Sequence, residues 1–227
     1  MEKYFVVALF LFSLIFFVFG YYTSSFLYYK KHNIKYNLKN MFPYEFNYPK
    51  TFKSNIYGNI FFLLSFACTI TFYVFNFIFR QNANGVTNIA SLSISLVLVI
   101  LAIVLLLMPL NHLRMHILAS SIFLVLSLAL VSLNSVIAYQ QYLLANLEIE
   151  KVITIISMIL SLLLVLAMLI CVLNPRATYK IYMEKSTDES GKVTYKRPRM
   201  IPIAFSEWWA IINLIISPLP LLLLFFV

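Results

Sequence analysis

The chain has 227 residues, 62% of them hydrophobic and only 11% charged, against about 25% charged in ordinary soluble domains. A mean hydropathy of +0.90 and a net charge of +9 exclude a soluble globular domain. The basic residues sit between apolar stretches, where they suit membrane orientation and anionic headgroups and not nucleic acid.

A helix crosses the hydrocarbon with about 20 apolar residues at about 1.5 Å each. Six stretches qualify, at 4–27, 56–79, 86–108, 117–139, 152–173 and 204–227. The expected fold is an all-α integral membrane protein, a six-helix transmembrane bundle forming one polytopic domain over residues 1–227. The first stretch reads as a retained helix. Its apolar run exceeds a signal-peptide core, it lacks an A-x-A cleavage pattern, and Glu2 cancels Lys3.

With six spans, loops one, three and five share a side. They carry fourteen of the seventeen basic residues, among them Lys30, Lys31, Lys35 and Lys39 in loop one and Arg197 and Arg199 in loop five. Lys3, Arg80 and Lys151 remain for the other side. The positive-inside rule then places those loops in the cytoplasm and both termini outside.

Loop one, "YYKKHNIKYNLKNMFPYEFNYPKTFKSN", mixes lysine with aromatics and is expected to lie on the membrane surface. In loop five, "YKIYMEK" and "KVTYKR" alternate around "STDESG", the pattern of a small cytoplasmic β-hairpin. Cys68 and Cys171 both lie within apolar stretches and read as packing residues.

Polar side chains inside the spans should face other helices. Span four is the clearest case. At about 100° per residue, His116, Ser120, Ser127 and Asn134 share a stripe that His112 would extend. Weaker seams hold Ser13, Gly20 and Ser24 in span one, Ser65, Thr69 and Asn76 in span two, Ser91 and Ser95 in span three, and Thr154, Ser157 and Ser161 in span five. These seams suit helix packing first. Serine and asparagine are poor proton carriers, so a proton-pump path has little support.

Glu207 stands in the last apolar run, "IPIAFSEWWAIINLIISPLPLLLLFFV". If Trp208–Val227 spans alone, Glu207 is interfacial and Trp208 and Trp209 are aromatic-belt anchors. If Pro218 and Pro220 break the helix, it starts near Ile201 and Glu207 is drawn about two turns into the bundle. A buried carboxylate then needs a partner. His112, Arg114 and His116 lie at the same depth, which makes a polar cluster with Glu207 the expectation. His112 and His116 have helical i, i+4 spacing, but no acidic residue completes a metalloenzyme motif, and no metal or other cofactor is expected.

"FPYEFNY" before span two, His116 at the start of span four and "SEWW" opening span six together resemble the DRAM-like (damage-regulated autophagy modulator-like) six-helix membrane proteins. The resemblance runs over most of the chain. It implies a lipid-related or membrane-homeostasis role and offers Tyr44, His116, Glu207 and Trp208 as matched positions.

The function expected is a non-enzymatic multi-pass protein. It would bind membrane lipids, with anionic headgroups at its cytoplasmic face, or a membrane-protein partner or second copy of itself. Alternatives are a small-solute transporter or substrate-binding subunit with span four lining the pocket, and a lipid-modifying enzyme using His116 and Glu207 as acid and base. No helix carries an evident mid-membrane interruption of the transporter kind. High Asn, Lys, Tyr and Ile content fits an AT-rich genome, and a bacterial plasma membrane is the expected location.

Overall fold

A computed structural model describes residues 2–47, 55–108, 113–174, 184–187 and 193–227. Helix α1 runs Glu2–His32, α2 Ile56–Leu107, α3 Leu113–Leu144, α4 Glu148–Val172, α5 Pro202–Ile216 and α6 Pro218–Leu223. Six segments are long and apolar enough to cross a membrane: Lys3–His32, Ile56–Phe79, Gly85–Leu107, Arg114–Leu144, Glu148–Val172 and Pro202–Phe226. Two of them belong to α2. Asn76 Nδ2 donates to Asn88 Oδ1 at 3.1 Å, although twelve residues of straight helix would separate them by about 18 Å. The helical stretch therefore doubles back between Phe79 and Gly85, and α2 is two antiparallel arms.

Helix ends follow local chemistry. Asn33 adopts a left-handed conformation (φ 54°) and its N–H closes onto Tyr29 O at 2.8 Å, a C-terminal stop that asparagine tolerates. Glu150 accepts from the Asn146 and Leu147 N–H groups at 3.1 and 3.2 Å, which caps the start of α4.

The last span departs from a single uninterrupted helix. It begins at Pro202, a residue suited to a first helical turn, and breaks at Ser217. Pro218 has no N–H to give Leu214 O. The Ser217 hydroxyl donates to that carbonyl instead, at 2.8 Å. Two further carbonyls at the break are taken by other helices: Asn134 Nδ2 donates to Ser217 O at 2.8 Å and Ser157 Oγ to Pro220 O at 2.7 Å. The break falls where Pro218 and Pro220 were expected to allow one, and side chains of α3 and α4 close it.

The core is aromatic and aliphatic, with Phe62, Phe66, Phe72, Phe123, Leu98 and Leu130 at 1% exposure or less. The polar seam residues are buried with it: Ser13, Ser65, Thr69, Ser95, Ser120, Ser127, Asn134, Ser157 and Ser161 are all at most 1% exposed. Large apolar side chains such as Phe12, Ile100, Leu162 and Ile170 face outward. Beyond α4, strands β1 (Glu184–Thr187) and β2 (Val193–Lys196) pair antiparallel, Glu184 opposite Lys196. The residues between them lie outside the described set.

Loop one, described as far as Asn47, folds inward at its end. Pro43–Asn47 form a 3₁₀ turn whose five residues are all buried. The turn is wedged against the end of the bundle, because Phe42, Tyr44 and Phe46 are hydrophobic bodies that lysine-rich flanks do not dissolve.

Gly58 marks a close approach of α1 and α2. A Cβ there would strike Ser24 Oγ and sit 2.5 Å from Asn55 Oδ1, and those side chains are bonded to each other at 2.8 Å. Gly58→Ala should cost about 1–3 kcal/mol through overpacking, read as a lower melting temperature in detergent. An unchanged melt would show that α1 and α2 do not meet there.

Candidate functional site

Glu207 lies on the second turn of α5 and is completely buried. Its Oε1 is 3.0 Å from His116 Nε2 and also accepts from the Ser120 hydroxyl. His116 and Ser120 are one turn apart on α3, so both face α5. The other imidazole nitrogen, Nδ1, is 3.1 Å from Met108 O at the end of α2. Both ring nitrogens thus face oxygen atoms. The triad pins the start of α3 to the end of α2 and to α5. Glu207 Oε2 has no hydrogen-bond partner.

Loop one roofs this triad. Phe42 and Tyr44 stand edge-on to the His116 ring at 5.9 and 5.7 Å. Trp208, the residue after Glu207, points its indole N–H at Tyr36 Oη and Met41 O, each 3.0 Å away. Tyr36 Oη donates to Phe42 O at 2.7 Å. Burial, then the nearby Glu45 charge, push the Tyr36 phenol well above its usual value, so it keeps its proton and remains a donor. Phe46 stacks on Tyr36 at 3.9 Å and meets Trp208 at 5.5 Å.

Glu45 organises the roof itself. Its Oε1 accepts from the Phe42 N–H at 2.8 Å, and its Oε2 takes Arg197 Nη1 at 2.8 Å. Asn40 Nδ2 donates to Pro198 O at 3.0 Å and Ile201 N to Lys39 O at 2.7 Å. Loop one is therefore stitched to the segment that leads into α5. On the other side, Asn47 and Asn59 exchange amide hydrogen bonds at 3.2 and 2.7 Å, and Asn47 also donates to Leu106 O at 2.8 Å.

Tyr44, His116, Glu207 and Trp208 thus come together, with Ser120 added from the seam of α3. Trp208 is 1% exposed and packs inside the protein instead of facing outward. The reason is the early helix start at Pro202, which carries Glu207 and Trp208 inward. Arg114 is exposed and does not join the cluster: two residues before His116, it points about 200° away around the helix. His112 lies outside the described residues. Ser127 and Asn134 lie deeper on the same stripe. Tyr36, Met41 and Met108 were not anticipated as partners, and the only hint of them was the aromatic density of loop one.

A second feature lies beside the roof. An open cavity of about 570 Å³ is lined by Tyr28, His32, Lys35, Asn40, Glu45 and Arg197, among others. His32 Nε2 and Asn40 Oδ1 are buried there without hydrogen-bond partners. Its volume is in the range of small-ligand sites.

No family model, curated protein or solved structure matches the chain.

With both members of the pair enclosed, at 1% and 0% exposure, the His116–Glu207 contact acts as a latch between spans. Glu207→Ala leaves His116 and Ser120 facing nothing and should cost about 3–5 kcal/mol, the penalty for removing one partner of a buried pair. Glu207→Gln should cost much less, since its amide can donate to Nε2 while the imidazole keeps its Nδ1 proton for Met108. Thermal unfolding of both variants in detergent checks this. Equal melting temperatures for the two would overturn the latch.

Proposed function

We propose that this protein is a non-enzymatic multi-pass membrane protein that binds anionic lipid headgroups at its basic, cytoplasmic face. The carrying observation is the open cavity beside the loop-one roof, where His32, Lys35 and Arg197 meet. The remaining features favour the same reading. The loops on that side hold most of the basic residues, which suits a cytoplasmic leaflet rich in anionic lipid. The cavity sits at the end of α1, whose last turn is Lys30, Lys31 and His32, a position that suits headgroup contact if α1 spans the bilayer.

The chemistry of the lining fits a phosphate. Arg197 uses Nη1 for Glu45, and a guanidinium has further donors for a bidentate anion contact. Lys35 supplies a point charge and His32 Nε2 an unused ring nitrogen. Glu45 fixes Arg197 in place, so the guanidinium is held before a ligand arrives. The enclosed His116–Glu207 pair offers a lipid ester no evident approach among the described residues, which disfavours the enzymatic alternative.

Native mass spectrometry on protein extracted from vesicles of equal phosphatidylglycerol and phosphatidylcholine is the test. Phosphatidylglycerol should be retained preferentially. Lys35→Ala should weaken retention about fivefold, corresponding to about 1 kcal/mol per basic group at the surface, without lowering the melting temperature. Equal retention of the two lipids would overturn the reading, as would retention indifferent to Lys35. The orientation is checked separately by cysteines placed in loop one, which should resist an impermeant thiol reagent added outside intact cells.

A further inference from the structure

The open cavity beside the roof is basic, yet a carboxylate stands in its wall. Glu45 lines it together with Arg197, Lys35 and His32. A site built for negative charge alone would keep a carboxylate away, since like charges brought together repel. Glu45 is not free to swing aside. Its Oε1 accepts from the Phe42 N–H at 2.8 Å, and its Oε2 accepts from Arg197 Nη1 at 2.8 Å. Nor is the pair sealed. The Glu45 side chain keeps 10% of its surface exposed and Arg197 keeps 33%. A molecule entering the cavity meets a fixed guanidinium and a fixed carboxylate side by side.

Both groups have capacity to spare. A guanidinium has several N–H donors, and the one on Nη1 is spent on Glu45. A carboxylate accepts about four hydrogen bonds, and Phe42 and Arg197 supply two of them. The space is also larger than a phosphate needs. At about 570 Å³ it lies within the range of pockets that enclose drug-sized molecules. A headgroup that sets its phosphate on Arg197 therefore places its next few atoms beside Glu45.

Charge narrows what those atoms can be. Lys35 and Arg197 against Glu45 leave the wall one positive charge in excess with His32 neutral. A phosphodiester of single negative charge balances that excess. A zwitterionic headgroup leaves it unbalanced, and a second negative charge on the ligand would be pressed against Glu45. What suits Glu45 is a neutral donor, and a hydroxyl is one.

We propose that the cavity selects a polyol phosphodiester, the headgroup class of phosphatidylglycerol and phosphatidylinositol. Arg197 holds the phosphate and Glu45 accepts from the hydroxyls beyond it. The inference rests on the headgroup reading given above and adds which headgroup is taken. Glu45 is then the residue that sets specificity, while Lys35 serves any anionic headgroup alike.

Phosphatidylethanol isolates the hydroxyls, because it has the charge of phosphatidylglycerol and lacks them. The full chain is extracted from phosphatidylcholine vesicles containing equal amounts of these two lipids, and the retained lipid is read by native mass spectrometry. Phosphatidylglycerol should be enriched about tenfold over phosphatidylethanol, the worth of one hydrogen bond to a charged group. Glu45→Gln, which replaces the charged acceptor by a neutral amide, should cut the ratio to about twofold. Lys35→Ala should weaken both lipids and leave the ratio unchanged. Soluble glycerophosphoglycerol, the same headgroup without chains, should displace phosphatidylglycerol where inorganic phosphate at equal concentration does not. Displacement only at millimolar concentration marks the lipid as the source of the ligand. Displacement at micromolar concentration marks a free polyol phosphate, and the recognition chemistry is the same in both cases. Equal retention of the two anionic lipids, both above phosphatidylcholine, would overturn the selectivity and leave the headgroup reading standing. Retention of neither above phosphatidylcholine would overturn both. A folded Glu45→Gln protein that keeps the tenfold ratio would also overturn the proposal. If Glu45→Gln does not fold, the wild-type competition decides, and inorganic phosphate displacing as well as glycerophosphoglycerol would end it.

Discussion

A carboxylate in an apolar bundle is the constraint around which the rest is arranged. Glu207 cannot stay unpaired at zero exposure, because an isolated buried charge costs many kcal/mol. Its partners come from a single neighbouring helix: His116 and Ser120, one turn apart on α3. His116 is in turn held by Met108 O, so satisfying one carboxylate fixes the relation of three spans. Trp208 follows in sequence and is turned about 100° around α5, where its indole N–H holds Tyr36 and Met41 of loop one. Two adjacent residues therefore serve two purposes, one locking the bundle and one locking its roof.

The roof explains why a lysine-rich loop is ordered at all. Its backbone gives up water for a few strong bonds, and those bonds must be supplied inside the fold. Glu45 supplies two of them, accepting from the Phe42 N–H and from Arg197. The second contact is also what leaves Arg197 poised over the basic cavity. The same ion pair thus joins the fold of loop one to the electrostatics proposed for headgroup binding. Removing the roof would expose His116 and dismantle that cavity at once.

Much of this was legible in the residues. Runs of apolar side chains locate all six spans, though helices run on past the apolar stretch at some ends, as in Lys3–His32 against 4–27 and Arg114–Leu144 against 117–139. Periodicity gives the stripe on α3, since a helix repeats every 3.6 residues whatever surrounds it. Depth alone placed Arg114 with His116, and there the inference failed, because depth says nothing about direction around the helix axis. The burial of loop one was hidden for a different reason. Tyr36, Phe42, Tyr44 and Phe46 follow no helical or strand period, and their partners Trp208 and His116 lie 72 to 172 residues away. The position of Glu207 turned on where the last helix starts. Pro202 sets that start, and Pro218 makes a single uninterrupted helix impossible.

The break at Ser217 gives the bundle its asymmetry. In a transporter, an interrupted helix exposes carbonyls to a substrate. Here Ser217 Oγ, Asn134 and Ser157 cap the carbonyls of Leu214, Ser217 and Pro220, so the break itself is closed to a ligand. The caps have a consequence. Asn134 spends its Nδ2 on this task and keeps Oδ1 free, while Asn213, one turn before the break, is left with neither amide atom engaged. The hydrogen-bonding capacity opened by the two prolines is thus not lost but displaced into the layer between Glu207 and Tyr73. That displacement separates this interior from the Ser13–Ser65–Thr69 contact, where every hydroxyl finds a protein neighbour. Among the described residues, unpartnered buried polar atoms also occur away from the break, at Ser25, Asn55 and Ser91, so the two prolines account for only part of this open capacity.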